Sequence, residues 1–404
     1  MYTDHIEMSG TRASLWIKYS VDTAKHLQLS RTVVFPSFRL RPNDTHASLM
    51  YTFRDDDLPR FFIAGKPMRH DIINGNFYEN MPEKVTGIRQ NGVMEVTSIL
   101  SVHGEKEPIR IGVTRQLFPD ISRPAAIEII SFKNLSQTAV PVSMEYLQRI
   151  IKTDSADSYP DSHYVFTNTV NAGRQLLQPD ASVHYAICYQ ASKEMVITLW
   201  DFENELAARR RRVDEFSQSL QLETPDNVVN TAFEFAKRRI GESIFITKAG
   251  PMMCPGGLSY YAAIWANDEA EYSNPFYPFT GDDLGNAAAI NSYGMFAKYM
   301  NTDYKPLPSS IIAEGEGTWA GAGDRGDAAM IAYGASRFAL SYGNADTARK
   351  LWPLIEWCLE FCKRKLTADG VVASDKDELE GRFPAGNANL STSSLYYEDR
   401  KSVV

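Results

Sequence analysis

The segment Asp369-Gly-Val-Val-Ala-Ser-Asp-Lys-Asp-Glu-Leu-Glu-Gly-Arg-Phe-Pro-Ala-Gly-Asn-Ala-Asn-Leu-Ser-Thr-Ser-Ser-Leu-Tyr-Tyr397 places an acidic, glycine-bounded loop between two helix-like stretches. Asp375, Asp377, Glu378 and Glu380 fall within six residues of it. Carboxylates held close together at a helix end can raise one another's proton affinity, which is what a general acid requires. The same composition also suits a solvated connector, so the surrounding sequence has to decide.

Upstream of this loop the apolar period is helical back to about residue 200. The spacing predicts helices over 283–300, 327–341 and 345–366, the last two joined as an αα-hairpin by Tyr342-Gly-Asn344. A fifth helix begins near Asn389. Thr224-Pro-Asp reads as an earlier helix start with Thr224 as N-cap, and its apolar stripe is Val228, Val229, Ala232, Phe233, Ala236 and Ile240. Residues 201–220 are charged with sparse apolar positions, which suits a linker helix. Within it Arg209-Arg-Arg-Arg212, flanked by acids, reads as a solvated face.

Before residue 200 the pattern is that of strands. Runs rich in Val, Ile, Thr and aromatics recur at 13–21, 26–35, 47–53, 92–103, 109–118, 125–132, 140–151, 183–189 and 195–200. Met94-Glu-Val-Thr-Ser-Ile-Leu-Ser-Val102 alternates cleanly. So many strands without intervening helices imply an antiparallel β-sandwich. The expected fold is therefore multidomain α and β, with a sandwich over 1–200, a helical linker over 201–224 and a helical domain over 225–404.

The chain has 404 residues, 44% hydrophobic and 23% charged, a balance that argues for a folded protein rather than a disordered one. A net charge of −8 without a basic face argues against nucleic acid as a partner. No run of 18 apolar residues suggests a membrane span, and no leader opens the sequence. As written the chain reads as cytoplasmic, with a periplasmic or secreted location open if Met1 is not the native start. Cys188, Cys254, Cys358 and Cys362 lack the spacing of a disulfide framework, and the last pair suits one buried helix face. All seven histidines lie before residue 200, so the helical half cannot build a His-containing triad or a His-ligated zinc. Neither a metal nor a cofactor is expected.

Two more loops carry chemistry. Tyr260-Tyr-Ala-Ala-Ile-Trp-Ala-Asn-Asp-Glu-Ala-Glu-Tyr-Ser-Asn-Pro-Phe-Tyr-Pro-Phe-Thr-Gly-Asp-Asp283 sets seven aromatic residues beside five carboxylates, among them Asp268 and Glu271. Aromatic faces stack on the C–H faces of sugars while carboxylates accept their hydroxyls, although core aromatics at a capping loop would look similar. Glu314-Gly-Glu-Gly-Thr-Trp-Ala-Gly-Ala-Gly-Asp-Arg-Gly-Asp327 has five glycines, which allow close approach of backbone to ligand. It lacks the Gly-Lys-Ser/Thr ending of a phosphate loop, and no strand clearly precedes it. Asp324 or Asp327 could also cap the next helix.

Taken in order, the three loops resemble those of the six-hairpin glycosidases. Trp265-Ala-Asn-Asp268 is similar to a Trp-x-Arg-Asp element of that superfamily, with Asn267 where the Arg stands; Trp319 with Asp324-Arg-Gly-Asp327 resembles the next active-site loop; Asp377-Glu378 with Asn387-Ala-Asn-Leu-Ser-Thr392 resembles the general-acid loop. The resemblance implies a partial (α/α)6 toroid after the sandwich and an inverting glycoside hydrolase acting on an oligo- or polysaccharide. It makes Glu378 the general acid, with its pKa raised by Asp375, Asp377 and Glu380, and Glu380 the runner-up. It puts Trp265, Asp268, Glu271, Trp319, Asp324, Arg325, Asp327 and Asp377 at the sugar. A toroid has about twelve helices and draws its general base from a late loop, so the resemblance implies an N-terminal fragment lacking that base. Inverting disaccharide phosphorylases share the architecture, and a non-catalytic carbohydrate-binding protein is a third possibility. The sugar, linkage, anomer and oligomeric state are not encoded in these motifs.

Overall fold

A computed structural model describes residues 2–42, 44–68, 83–104, 107–159, 161–198, 201–255, 257 and 262–402. Tyr260, Tyr261, His70 and the end of the 195–200 run lie outside the described residues. The chain forms two compact units, residues 1–40 with 49–215 and residues 41–48 with 216–404.

In the first unit, β1 (Tyr2–Ser9), β2 (Ser14–Val21), β3 (Leu27–Arg39) and β4 (Ser48–Phe53) form one sheet in that order. Next along the chain come β5 (Phe61–Ile63), β6 (Lys66–Met68), β7 (Glu83–Gln90), β8 (Met94–Val102), β9 (Ile109–Pro119) and β10 (Ala125–Asn134). They are followed by β11 (Val140–Met144), β12 (Gln148–Lys152), β13 (Tyr164–Val170), β14 (Gly173–Leu177) and β15 (Ser182–Ser192). A seven-stranded sheet runs β12-β13-β15-β10-β9-β8-β7, and a four-stranded one runs β14-β11-β5-β6. Alternation drives the burial: along β8, Met94, Val96, Ser98, Leu100 and Val102 are buried while the residues between them are half-exposed. The inward residues of all three sheets form one hydrophobic core, from Ile6 through Phe61 and Val113 to Tyr185. Arg31 is enclosed within this unit, where Glu128 neutralises it and itself accepts from the Tyr189 hydroxyl at 2.8 Å.

Several sequence expectations need correction here. The run 140–151 is two strands, because the chain leaves the four-stranded sheet after Met144 and joins the seven-stranded one at Gln148. Residues 195–198 form no strand, whereas β1, β5, β6, β7, β13 and β14 were not expected. The helix α1 (Phe202–Gln218) is more than a solvated linker. Its Arg209 is buried, donating from Nε to Gly92 O at 2.8 Å and from Nη1 to Ser9 O at 3.0 Å. A guanidinium has enough donors to satisfy orphaned carbonyls at strand ends, and charge counting along a helix does not reveal that use.

The second unit contains α2 (Asn227–Glu242), the hairpin β16 (Ile244–Thr247) and β17 (Gly250–Met253), and a small sheet β18 (Ile264–Trp265), β19 (Ser310–Ile312) and β20 (Gly317–Trp319). A π-helix, Ala266–Ser273, continues into α3 (Asn274–Thr280). Then follow α4 (Asp283–Ala297), α5 (Asp327–Tyr342), α6 (Ala345–Arg364) and α7 (Leu390–Ser402). Asp226, not Thr224, caps α2: its carboxylate accepts from Val228 N at 2.8 Å, and the Thr224 hydroxyl instead donates to Asn230 at 2.8 Å. The helices share a core of Tyr277, Tyr293, Phe296, Ile331, Phe338, Leu354, Cys358 and Phe361. Cys358 and Cys362 are buried in it as small apolar residues. The stripe expected on α2 is largely exposed at Val228, Val229, Ala232 and Ala236. A strand does precede the glycine-rich loop: its first half is the β19–β20 hairpin.

Candidate active site

The small three-stranded sheet sets the aromatic platform. Ser310 on the central strand pairs with Trp265 on one side and Trp319 on the other, so both indoles project from the same face. Their ring centroids lie 5.4 Å apart, and each side chain is half-buried, which leaves aromatic surface accessible. After Trp265 the chain enters the π-helix, a wide turn often found at functional sites. Glu269 ties that turn down by accepting from Trp265 N, and its burial beside Asp268 pushes its pKa well up. The π-helix then presents Asp268, Glu271 and Tyr272.

The N-terminus of α5 supplies the charge. Gly326, at φ +89°, precedes the first helical residue, and a Cβ there would come within 2.1 Å of the Thr392 hydroxyl. Asp327 opens the helix, where the dipole favours an anion; it accepts from Ser309 Oγ at 2.8 Å and from Arg325 Nη2 at 2.9 Å. Burial still raises its pKa, against the pull of Arg325. Arg325 is almost fully buried and holds three elements together, donating to Asp327, to Glu380 Oε1 at 3.0 Å and to Asn267 Oδ1 at 3.4 Å. Its guanidinium carbon lies 5.9 Å from the ring centres of both Trp265 and Trp319. Asn267 thus receives a guanidinium from the next loop.

The acidic loop is locked onto the loop before α5. Asp375 Oδ2 accepts from Asp324 N at 2.8 Å, and Asp324 O accepts from Asp375 N at 2.8 Å. Asp324 itself is buried, paired with Lys365 Nζ at 2.6 Å and capping Gly326 N at 3.0 Å. Asp377 accepts from Leu379 N at 3.0 Å within its own turn. Glu380 sits at φ +60°, a left-handed conformation that turns its carboxylate to Arg325. Glu378 accepts from the Tyr272 hydroxyl at 3.3 Å.

Four of the carboxylates, Asp268, Glu271, Glu378 and Glu380, form an electrostatic group. Burial raises the pKa of Asp268, opposed by Arg325 and reinforced by Glu378 and Glu380. Burial and then Glu378 push Glu271 up to about 7. The structure therefore brings together Trp265, Asp268, Glu271, Trp319, Arg325, Asp327, Glu378 and Glu380. It assigns Asp324 to the Lys365 pair and Asp375 and Asp377 to backbone groups. Tyr272, Ser309 and Lys365 were missed by sequence reading. Only Tyr272 carried a usable signal, as a tyrosine next to a motif carboxylate. No metal-ligating cluster occurs among the described residues.

No protein-family profile and no curated protein matches the chain. Among solved structures, a protein named as a kojibiose phosphorylase, from the human microbiome, matches with a TM-score of 0.52 at 11% identity, over 90% of this chain and 57% of that one. A bacterial glucoamylase complexed with acarbose matches with a TM-score of 0.43 at 12% identity, over 94% of this chain and 62% of that one. The chain spans less than two thirds of the length of either protein. At this identity the first match shows a likeness of fold over most of this chain.

Proposed function

We propose that the second unit is a carbohydrate-active catalytic domain that cleaves a glycosidic bond with inversion. The observation that carries this reading is the convergence of Trp265, Trp319, Asp268, Glu271, Arg325 and Glu378 from three separate loops, with Glu271 titrating near neutrality. The tryptophan pair is suited to stack on a sugar ring, and Asp268 to accept its hydroxyls. Glu378 is the general acid, protonating the leaving glycosidic oxygen as the anomeric C–O bond breaks. Glu380 fits this role less well because its carboxylate is committed to Arg325. Arg325 and Asp327 are then supports that hold the platform and Glu380 in register. The likeness in fold agrees with this reading, and so does the order of the three loops.

Hydrolysis, with water attacking the face opposite the acid, is the first reading. Phosphorolysis is the second, favoured by the phosphorylase named among the matching folds. Incubating the protein with a panel of α- and β-linked disaccharides, with and without inorganic phosphate, separates the two. Free sugar formed without phosphate supports hydrolysis, and sugar phosphate formed only with phosphate supports phosphorolysis. Glycan binding without turnover would overturn catalysis. Glu378→Gln abolishes turnover while Glu380→Gln retains part of it; the reverse order would exchange their roles.

A further inference from the structure

The first unit holds a cleft that the chemistry of the second does not use. It lies between β1 and β2, at one edge of their sheet, and β7, the edge strand of the seven-stranded sheet. Its volume is about 560 Å³, and Tyr2, Tyr19, Lys25, Thr86, Gly87 and Gln90 line it. Two ties between the sheets fix its walls: Val85 N donates to Lys25 O at 2.8 Å, and Gln90 Nε2 donates to the Tyr19 hydroxyl at 2.7 Å. From Val85 to Gln90 the strand rises about 16 Å, so the cleft is an elongated, pre-formed groove. Tyr2 is more than half exposed. Its hydroxyl donates to Asp4 Oδ2 at 3.0 Å, and its ring centroid lies 5.9 Å from that of buried Tyr19. The phenol is thus held in place with ring surface left open. Beside it, the Lys25 ammonium and the Gln90 side-chain carbonyl have no hydrogen bond or ion pair among the described residues.

We propose that this cleft is a saccharide-binding site in its own right, which holds a neutral oligosaccharide through Tyr2, Lys25 and Gln90 without cleaving it. A sugar ring offers a C–H face to the Tyr2 ring, hydroxyl oxygens to the Lys25 ammonium and hydroxyl protons to the Gln90 carbonyl. An anion would gain Lys25 but meet the Asp4 carboxylate that holds Tyr2. A further strand would need a regular row of backbone groups along β7, and the register of β7 shifts between Val85 and Gly87. Such a bulge blunts an edge against strand addition. The proposal is independent of the catalytic reading, because every residue in it belongs to the first unit.

The test is an NMR titration of the 404-residue chain carrying carbon-13 in its tyrosine rings, with maltotetraose, cellotetraose, mannotetraose, xylotetraose and a galacturonic acid tetramer. At least one neutral tetramer should shift the Tyr2 ring signals, assigned by their loss in Tyr2→Ala, and the acidic tetramer should not. Followed through the Tyr19 signals, Tyr2→Ala and Lys25→Met should each weaken binding about tenfold. Tyr2 signals unmoved by every neutral tetramer, or undiminished affinity in either variant, would overturn the proposal. Shifts caused by an extended valine-threonine peptide and by no sugar would overturn it in favour of strand addition. Any disaccharide turnover should have the same kcat in wild type and Tyr2→Ala. Saccharide binding at Tyr2 without turnover would keep this site and reject catalysis, and turnover without Tyr2 shifts would do the reverse.

Discussion

Glu271 links the chemistry of the site to the stability of the second unit. Its pKa rises from 4.5 to about 7 on folding, so between those values the folded chain binds more protons than the unfolded one. The stabilising contribution is therefore complete below about pH 4.5 and lost as pH climbs through 7. Glu271→Gln should remove this dependence, making the protein more stable than wild type at pH 8 by roughly 1 kcal/mol after discounting for solvent screening. Denaturant unfolding at pH 5 and pH 8 measures it, and equal gains at both would reject the assignment. Arg325 works in the opposite sense. Removing it in Arg325→Ala strands the buried Asp327 carboxylate, at a cost of about 3–5 kcal/mol. Arg325→Lys should recover little, because a single ammonium cannot serve Asp327, Glu380 and Asn267 together; thermal melts that match wild type would contradict this.

At the scale of elements, the π-helix and α5 are fitted to each other through Gly334. A Cβ at this position would come 1.5 Å from the Ala270 carbonyl oxygen, a backbone atom that cannot swing aside. Alanine is the better helix former by about 1 kcal/mol, yet Gly334→Ala should lower stability by about 1–3 kcal/mol, because overpacking forces the two helices apart. The same displacement moves Asp268, Glu271 and Tyr272, so sugar affinity should fall along with the melting temperature. A stabilised variant with full affinity would mean that the helices adjust freely. The turn into β20 is a second fitted element: Ala313 and Glu314 both hold positive φ between strands that fix the two tryptophans.

At the scale of the whole molecule, the apolar residues of the second unit divide unevenly. Phe338, Leu351, Leu354 and Ile355, which the helical period marks as stripe positions, are buried in the common core. Val228, Leu340 and Leu390 are 76%, 69% and 84% exposed, and Val229, Phe235 and Trp352 are also exposed. Exposed apolar surface of this kind favours self-association. The 404-residue chain should bind a hydrophobic dye and scatter light increasingly with concentration, and Val228→Glu with Leu340→Lys should reduce both. A monodisperse monomer that binds no dye would show that these side chains are too scattered to act as a patch.

The strand alternation of β8, the helical period of α5 and α6 and the order of the three loops were all written locally, in spacings that any isolated segment displays. The mixed α and β class and the change of period near residue 200 could be read from these spacings, and so could the aromatic and acidic residues proposed for the site. The sequence by itself could not show that 140–151 changes sheets, because both halves of that run have the same β character and only pairing partners separate them. Nor could it show Arg209 or Arg325 as buried, since charge predicts exposure unless the acceptors that satisfy it are known. Tertiary structure alone decided that Glu380 faces Arg325 while Glu378 faces Tyr272. A single left-handed residue at Glu380 and a hydroxyl more than a hundred positions upstream made that choice. Proton affinity depends on which charges lie within a few ångströms, and that proximity is a property of the folded chain.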